Sequence, residues 1–244
     1  MAVAFSGGVD STLLLYAAME AIGRERVIVL RGVSELVSDL EKKNATMVLD
    51  ELQFSQERRM EVELHPLIWS EFVANTPDRC YFCKKRMYQS FQRILEKLDC
   101  LVLLDGSNVD DLKTLRPGFR AIHELGVQTP LLDAGLDKED IRSLAFTYHL
   151  SNHDKPSNSC LATRLQEGVV INREGLERVE KCENFLLNRG FIGCRVKPEG
   201  KDIVLEVTGK DGERLLASSV RVEIIPFFKS VGFTRILVDL NPRR

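Results

Sequence analysis

Seven residues near the start constrain this chain most: Ser6-Gly7-Gly8-Val9-Asp10-Ser11-Thr12. An apolar run, Ala2 to Phe5, leads into them. Asp10 to Ile22 follows, with Leu13, Leu14, Ala17, Ala18 and Ala21 at helix-compatible spacing. A strand entering a helix through two adjacent glycines lets the backbone turn tightly and approach an anion closely. The free N–H groups and dipole of the helix favour phosphate there, with Ser6, Ser11 and Thr12 as hydroxyl donors. The spacing is neither a Walker A loop nor a G-x-G-x-x-G turn.

The rest of the first part continues the alternation. Val27–Leu30, Met60–Leu64 and Leu101–Leu104 read as strands, and 34–52, 79–98 and 137–149 as helices, with Leu36, Leu40, Met47 and Leu52 among the apolar positions of the first of these helices. Strands that are apolar throughout and alternate with helices predict an α/β fold, a parallel sheet covered on both faces. Beyond residue 168 the rhythm changes. A helix over 174–188, a hairpin of Cys194–Lys197 and Ile203–Val207 around Pro198–Lys201, a helix over 220–231 and a strand over 235–240 predict a smaller α+β domain. The expected division is therefore 1–167 and 168–244.

A length of 244 residues suffices for a core without disulfide staples. The formal charge of −2 gives no whole-chain basic footprint, which argues against a nucleic-acid partner. No apolar run approaches a membrane span. Met1 to Gly8 lacks the basic segment and long apolar core of a leader, so a reducing cytoplasm is the expected location. There, six cysteines are expected as thiols or metal ligands. Cys80 and Cys83 form a C-x-x-C at a helix start, followed by Lys84, Lys85 and Arg86, conditions that favour thiolate. Cys160 lies between Lys155 and Arg164. The set is compatible with zinc, taking His153 as a fourth ligand, or with three irons of a [4Fe–4S] cluster whose fourth iron stays open. A redox dithiol would need only Cys80 and Cys83, but its strand context is missing. Cys100, Cys182 and Cys194 are expected to pack as small apolar side chains.

The heptapeptide resembles the SGGxDS pyrophosphate loop of ATP-pyrophosphatases. Together with Asn75-x-Pro77-Asp78-Arg79-Cys80-x-x-Cys83-Lys84, Asp105-Gly106-x-Asn108-x-Asp110-Asp111, Arg116-Pro117-Gly118 and Cys160-Leu161-Ala162-x-Arg164, it is similar to the LarE-type ATP-dependent sulfur transferases. The likeness extends through Pro130-Leu131-Leu132 to Val238-Asp239-Leu240. It implies an adenine nucleotide alpha hydrolase-like (PP-loop) domain carrying a smaller α+β domain. It also implies an enzyme that adenylates a small carboxylated mononucleotide and exchanges AMP for sulfur, in biosynthesis of the nickel-pincer cofactor of lactate racemase. The implied cofactors are ATP, Mg²⁺ on Asp10, and a [4Fe–4S] cluster on Cys80, Cys83 and Cys160. In one branch the cysteine matching Cys160 gives up its own sulfur. The resemblance further assigns Asn108, Arg116 and Arg164 to nucleotide or substrate, Arg195 and Lys197 to substrate phosphate, and Glu183 and Glu206 to a metal site with Asp211 or Glu213. Relatives form hexamers, so a homo-oligomer is expected. Leu165-Gln166-Glu167-Gly168 stands where the family tends toward Ile-Pro-Tyr-Gly, and Lys197 where it commonly has Arg. A tRNA-thiolating enzyme or a zinc-stabilised nucleotide-binding protein would share some of these residues.

Overall fold

The computed structural model describes residues 1–100, 102–113 and 117–241. They form two compact units, Met1–Lys155 and Pro156–Arg244.

The first unit runs β1 (Ala2–Ala4), α1 (Val9–Ile22), β2 (Ile28–Val33), α2 (Asp39–Glu51), β3 (Arg59–Glu63), α3 (Ser70–Val73), α4 (Arg79–Lys97), β4 (Leu103–Leu104), α5 (Pro117–Glu124), α6 (Pro130–Asp133) and α7 (Lys138–Thr147). Its sheet has the order β3-β2-β1-β4, with every pairing parallel, and Val3 of β1 lies between Val29 and Leu104. Neighbouring residues of β1 serve opposite faces, as the pleat requires. Val3 packs with Leu13, Leu14, Val48, Leu49 and Ile141 from α1, α2 and α7. Ala2 packs with Tyr88, Phe91, Leu95 and Ile122 from α4 and α5. The sheet is thus covered on both sides, which accounts for its uninterrupted apolar strands.

Strand order reverses at β1: the chain moves outward through β2 and β3, then returns to place β4 on the other flank. In open α/β sheets the crevice at the carboxyl ends of the strands at such a switch point binds ligands. Here that point joins the Ser6–Thr12 loop to Asp105–Asn108.

Two local expectations shift. The helix predicted from 34 begins at Asp39, because the Ser38 side chain caps it by accepting the Glu41 N–H at 3.3 Å. That start turns Ala45, Val48 and Leu49 inward and leaves Leu40 and Met47 exposed. The fourth strand is Leu103–Leu104; Leu101 lies outside the described residues.

The second unit contains α8 (Arg173–Leu187), β5 (Arg195–Glu199), β6 (Asp202–Glu206), α9 (Gly212–Leu216), α10 (Ser218–Ser230) and β7 (Ile236–Val238). β5 and β6 form the expected antiparallel hairpin, and β7 adds in parallel to β6. Val196, Ile203 and Leu205 meet Cys182, Leu186 and Phe228 in its core. The units divide at Lys155/Pro156, earlier than the change of sequence rhythm at 167/168. The reason is Arg164, whose guanidinium fastens the Asn158–Arg164 segment to Glu183 of α8. Among the described residues no helix is long and apolar enough to cross a membrane.

Candidate active site

Gly7 has φ of +79°, and a Cβ there would lie 2.6 Å from the Cα and Cβ of Ala45. Only glycine combines that conformation with so close a helix. Two of the loop's hydroxyls also brace its backbone. Ser11 Oγ donates to the Gly8 carbonyl at 3.0 Å and accepts the Ser6 N–H at 3.2 Å. Thr12 Oγ1 donates to the same carbonyl at 3.0 Å. Gly8 stands at the N-cap of α1 with no side-chain cap, so the helix begins as an anion-seeking N-terminus. Asn152, which the sequence reading missed, ties this loop from the far end of the unit. Its Nδ2 donates to the Gly7 carbonyl at 3.1 Å and to Thr12 Oγ1 at 2.9 Å.

Asp10, in the first turn of α1, is held by a residue also missed in the sequence. Lys138 Nζ donates to both carboxylate oxygens, at 2.8 and 2.6 Å. Asp110 in turn accepts the Lys138 backbone N–H at 2.9 Å and pairs with Lys113 at 2.5 Å. The hydrogen bond from Lys113 lowers the Asp110 carboxyl below its ordinary range.

Asp105 closes the other flank of the crevice. Burial pushes its carboxyl up, but Lys84, 3.6 Å away, and hydrogen bonds from Ser107 and Tyr88 outweigh this and leave it below the usual value. The fully buried Tyr88 hydroxyl is driven well above its normal range, first by burial and then by the Asp105 charge, so it stays a donor. At Gly106 a Cβ would sit 3.0 Å from the Ser11 nitrogen; the glycine lets this strand end abut the loop. Asn108 is buried and caps the short turn that follows: its Oδ1 accepts the Asp110 N–H, and Asp111 accepts the Asn108 N–H. Arg116 lies outside the described residues.

Cys80 and Cys83 occupy the first turns of α4, three positions apart and hence side by side on the helix, both half-buried. Arg79 Nη2 stands 3.9 Å from Cys80 Sγ, and Arg79 is itself anchored on the buried Asn75. The donor chemistry suits iron or zinc. Among the described residues, however, no group of three His, Cys, Asp or Glu side chains is gathered to hold a metal.

Cys160 belongs to the second unit, where it precedes the turn Leu161–Arg164. Arg164 is 3% exposed. Its guanidinium meets Glu183 through two bonds, at 2.8 and 3.1 Å, and donates to the Ser159 carbonyl and Asn158 Oδ1 at 2.8 Å each. Arg164 therefore orders the cysteine segment. Glu183 also accepts the Val196 N–H at 3.1 Å. Arg195 and Lys197 alternate along β5, and Glu206, opposite Arg195 in register, pairs with Lys197. Glu183 and Glu206, two of the acids assigned to a metal site, thus each also answer a cation. Cys182 and Cys194 lie in the second core, and half-buried Cys100 packs against the α4–α5 side of the first. Burial pushes the Cys182 thiol up to about 12.

Sequence comparison decides the family. A pyridinium-3,5-bisthiocarboxylic acid mononucleotide synthase from Lactiplantibacillus plantarum is 30% identical over 98% of this chain and 85% of its own. The chain belongs to this LarE family. Uncharacterized proteins of Synechocystis, 29% identical, and Methanocaldococcus jannaschii, 30% identical, each align over 98% of this chain and 88% of their own. The NAD synthase family model matches residues 1–78, the segment that holds the whole pyrophosphate loop. As a LarE-family protein with a PP-loop domain, the chain is an ATP-using transferase, and its parallel sheet and second small sheet are those expected from the sequence.

Proposed function

We propose that the protein adenylates a carboxylate of pyridinium-3,5-biscarboxylic acid mononucleotide and converts it to a thiocarboxylate, a step in making the nickel-pincer cofactor. The observation that carries this reading is the uncapped N-terminus of α1 behind Gly7 and Gly8, at the switch point between β1 and β4 and beside Asp10. A carboxylate oxygen attacks the α-phosphorus of ATP, and the bond to pyrophosphate breaks. The N-terminus of α1 meets the departing charge with fixed dipoles. Asp10 would hold Mg²⁺, which shields the phosphates.

A sulfur nucleophile then adds to the acyl carbon and AMP leaves. If the nucleophile is Cys160 itself, its thiolate forms a thioester. Loss of the Cys160 α-proton then cleaves its Cβ–S bond, leaving dehydroalanine and releasing the thiocarboxylate. The pair Cys80 and Cys83 favours the other source. With Cys160 they would ligate a [4Fe–4S] cluster, which would carry sulfide taken up from solution and so allow repeated turnover.

Anaerobic purification followed by a UV–visible spectrum and intact mass before and after turnover tests the source. Broad visible absorbance with an unchanged protein mass is the expected result. A colourless protein that loses the mass of hydrogen sulfide from Cys160 would assign the sulfur to that residue.

A further inference from the structure

Lys138 breaks a local rule. It is the first residue of α7, where the helix dipole disfavours a cation and where Glu139 and Asp140 supply the expected acids. Yet its backbone is firmly placed. Asp137 and Asp140 form a capping box around it, and Asp110 accepts its N–H at 2.9 Å. Its side chain is then spent entirely on Asp10, across 128 residues of sequence, with both carboxylate oxygens engaged. A residue set against helix propensity but fixed by its surroundings marks a functional constraint.

We infer that Lys138 is a positioning residue that makes metal binding at Asp10 depend on nucleotide. This rests on the ATP-using reading of the loop and on Asp10 as the metal carboxylate, and is independent of which carboxylate is adenylated. In the free enzyme the ammonium neutralises Asp10. The carboxylate therefore neither repels the phosphates arriving at the N-terminus of α1 nor collects a divalent ion by itself. The ion that arrives with ATP takes the Asp10 oxygens and releases Lys138.

The test uses Mn²⁺, followed by electron paramagnetic resonance, and ATP in the presence of chelator, followed by calorimetry. With Lys138→Met, Mn²⁺ should bind the nucleotide-free protein about five- to tenfold more tightly, while metal-free ATP should bind more weakly by a similar factor. Lys138→Arg keeps the charge and should resemble the native protein in both. A merely structural clasp between α1 and α7 would not move the two affinities in opposite directions. Unchanged or weaker Mn²⁺ binding in Lys138→Met, or equal behaviour of Lys138→Arg and Lys138→Met, overturns the inference. Asp10→Asn separates the two levels: if it still binds Mn²⁺ with ATP as the native protein does, the assignment of Asp10 to the metal fails, and the inference with it.

Discussion

In the first unit the Ser6–Thr12 loop works through what its backbone leaves open. Its glycines remove side chains, the Ser11 and Thr12 hydroxyls bond its own backbone, and the N-terminus of α1 carries no side-chain cap. Around Cys160 in the second unit, side chains do the ordering, Arg164 foremost and Thr163 Oγ1 donating to the Cys160 carbonyl at 2.8 Å. Arg164 is buried and spends its guanidinium on Glu183, Ser159 and Asn158. The first arrangement suits a ligand that brings its own charge, since fixed dipoles need no reorganisation. The second holds its segment by contacts within the unit, with no external partner needed.

This contrast can be broken. Arg164→Ala should have the largest effect, because it leaves the partly buried Glu183 without its cation: about 3–5 kcal/mol lost in urea unfolding of the second unit. Nearly native stability would show that the segment is held some other way.

Gly7→Ala should come next. It forces an L side chain to φ of +79° and drives a Cβ into the Ala45 backbone. The expected loss is about 1–3 kcal/mol, with weakened ATP binding in calorimetry, and an undisturbed ATP affinity would mean that the loop does not cradle phosphate.

The loop was legible in the sequence because its geometry demands particular residues at adjacent positions. Strands and helices were legible for a similar reason: burial on both faces of β1 shows directly in Ala2–Phe5. What could not be read were partners distant in the chain. Nothing local marks Asn152 as the brace of Gly7, since its significance comes from a contact spanning 145 residues. Lys138 did leave one signal, a cation at a helix start, which Asp10 explains only once the fold is formed. Arg164, assigned to nucleotide or substrate by resemblance, is buried against Glu183 of α8, a contact that its short motif does not reveal.

The cysteines sharpen the comparison with a smaller effect. Cys182, with its thiol raised to about 12, should resist alkylation in the folded, metal-free protein at mildly alkaline pH while half-buried Cys160 reacts. Cys182→Ala should cost only about 1 kcal/mol and leave turnover intact. Rapid labelling of native Cys182, followed by mass spectrometry of peptides, would contradict its placement in the core.

The most direct test of the central claim is the fate of the substrate itself. Under anaerobic conditions, the protein is incubated with Mg²⁺, ATP, sulfide and pyridinium-3,5-biscarboxylic acid mononucleotide, and the products are weighed by mass spectrometry. The account predicts equal amounts of AMP and pyrophosphate and a mononucleotide in which sulfur has replaced a carboxylate oxygen. An unchanged mononucleotide, or one that gains an amide nitrogen when ammonia is supplied, would contradict it.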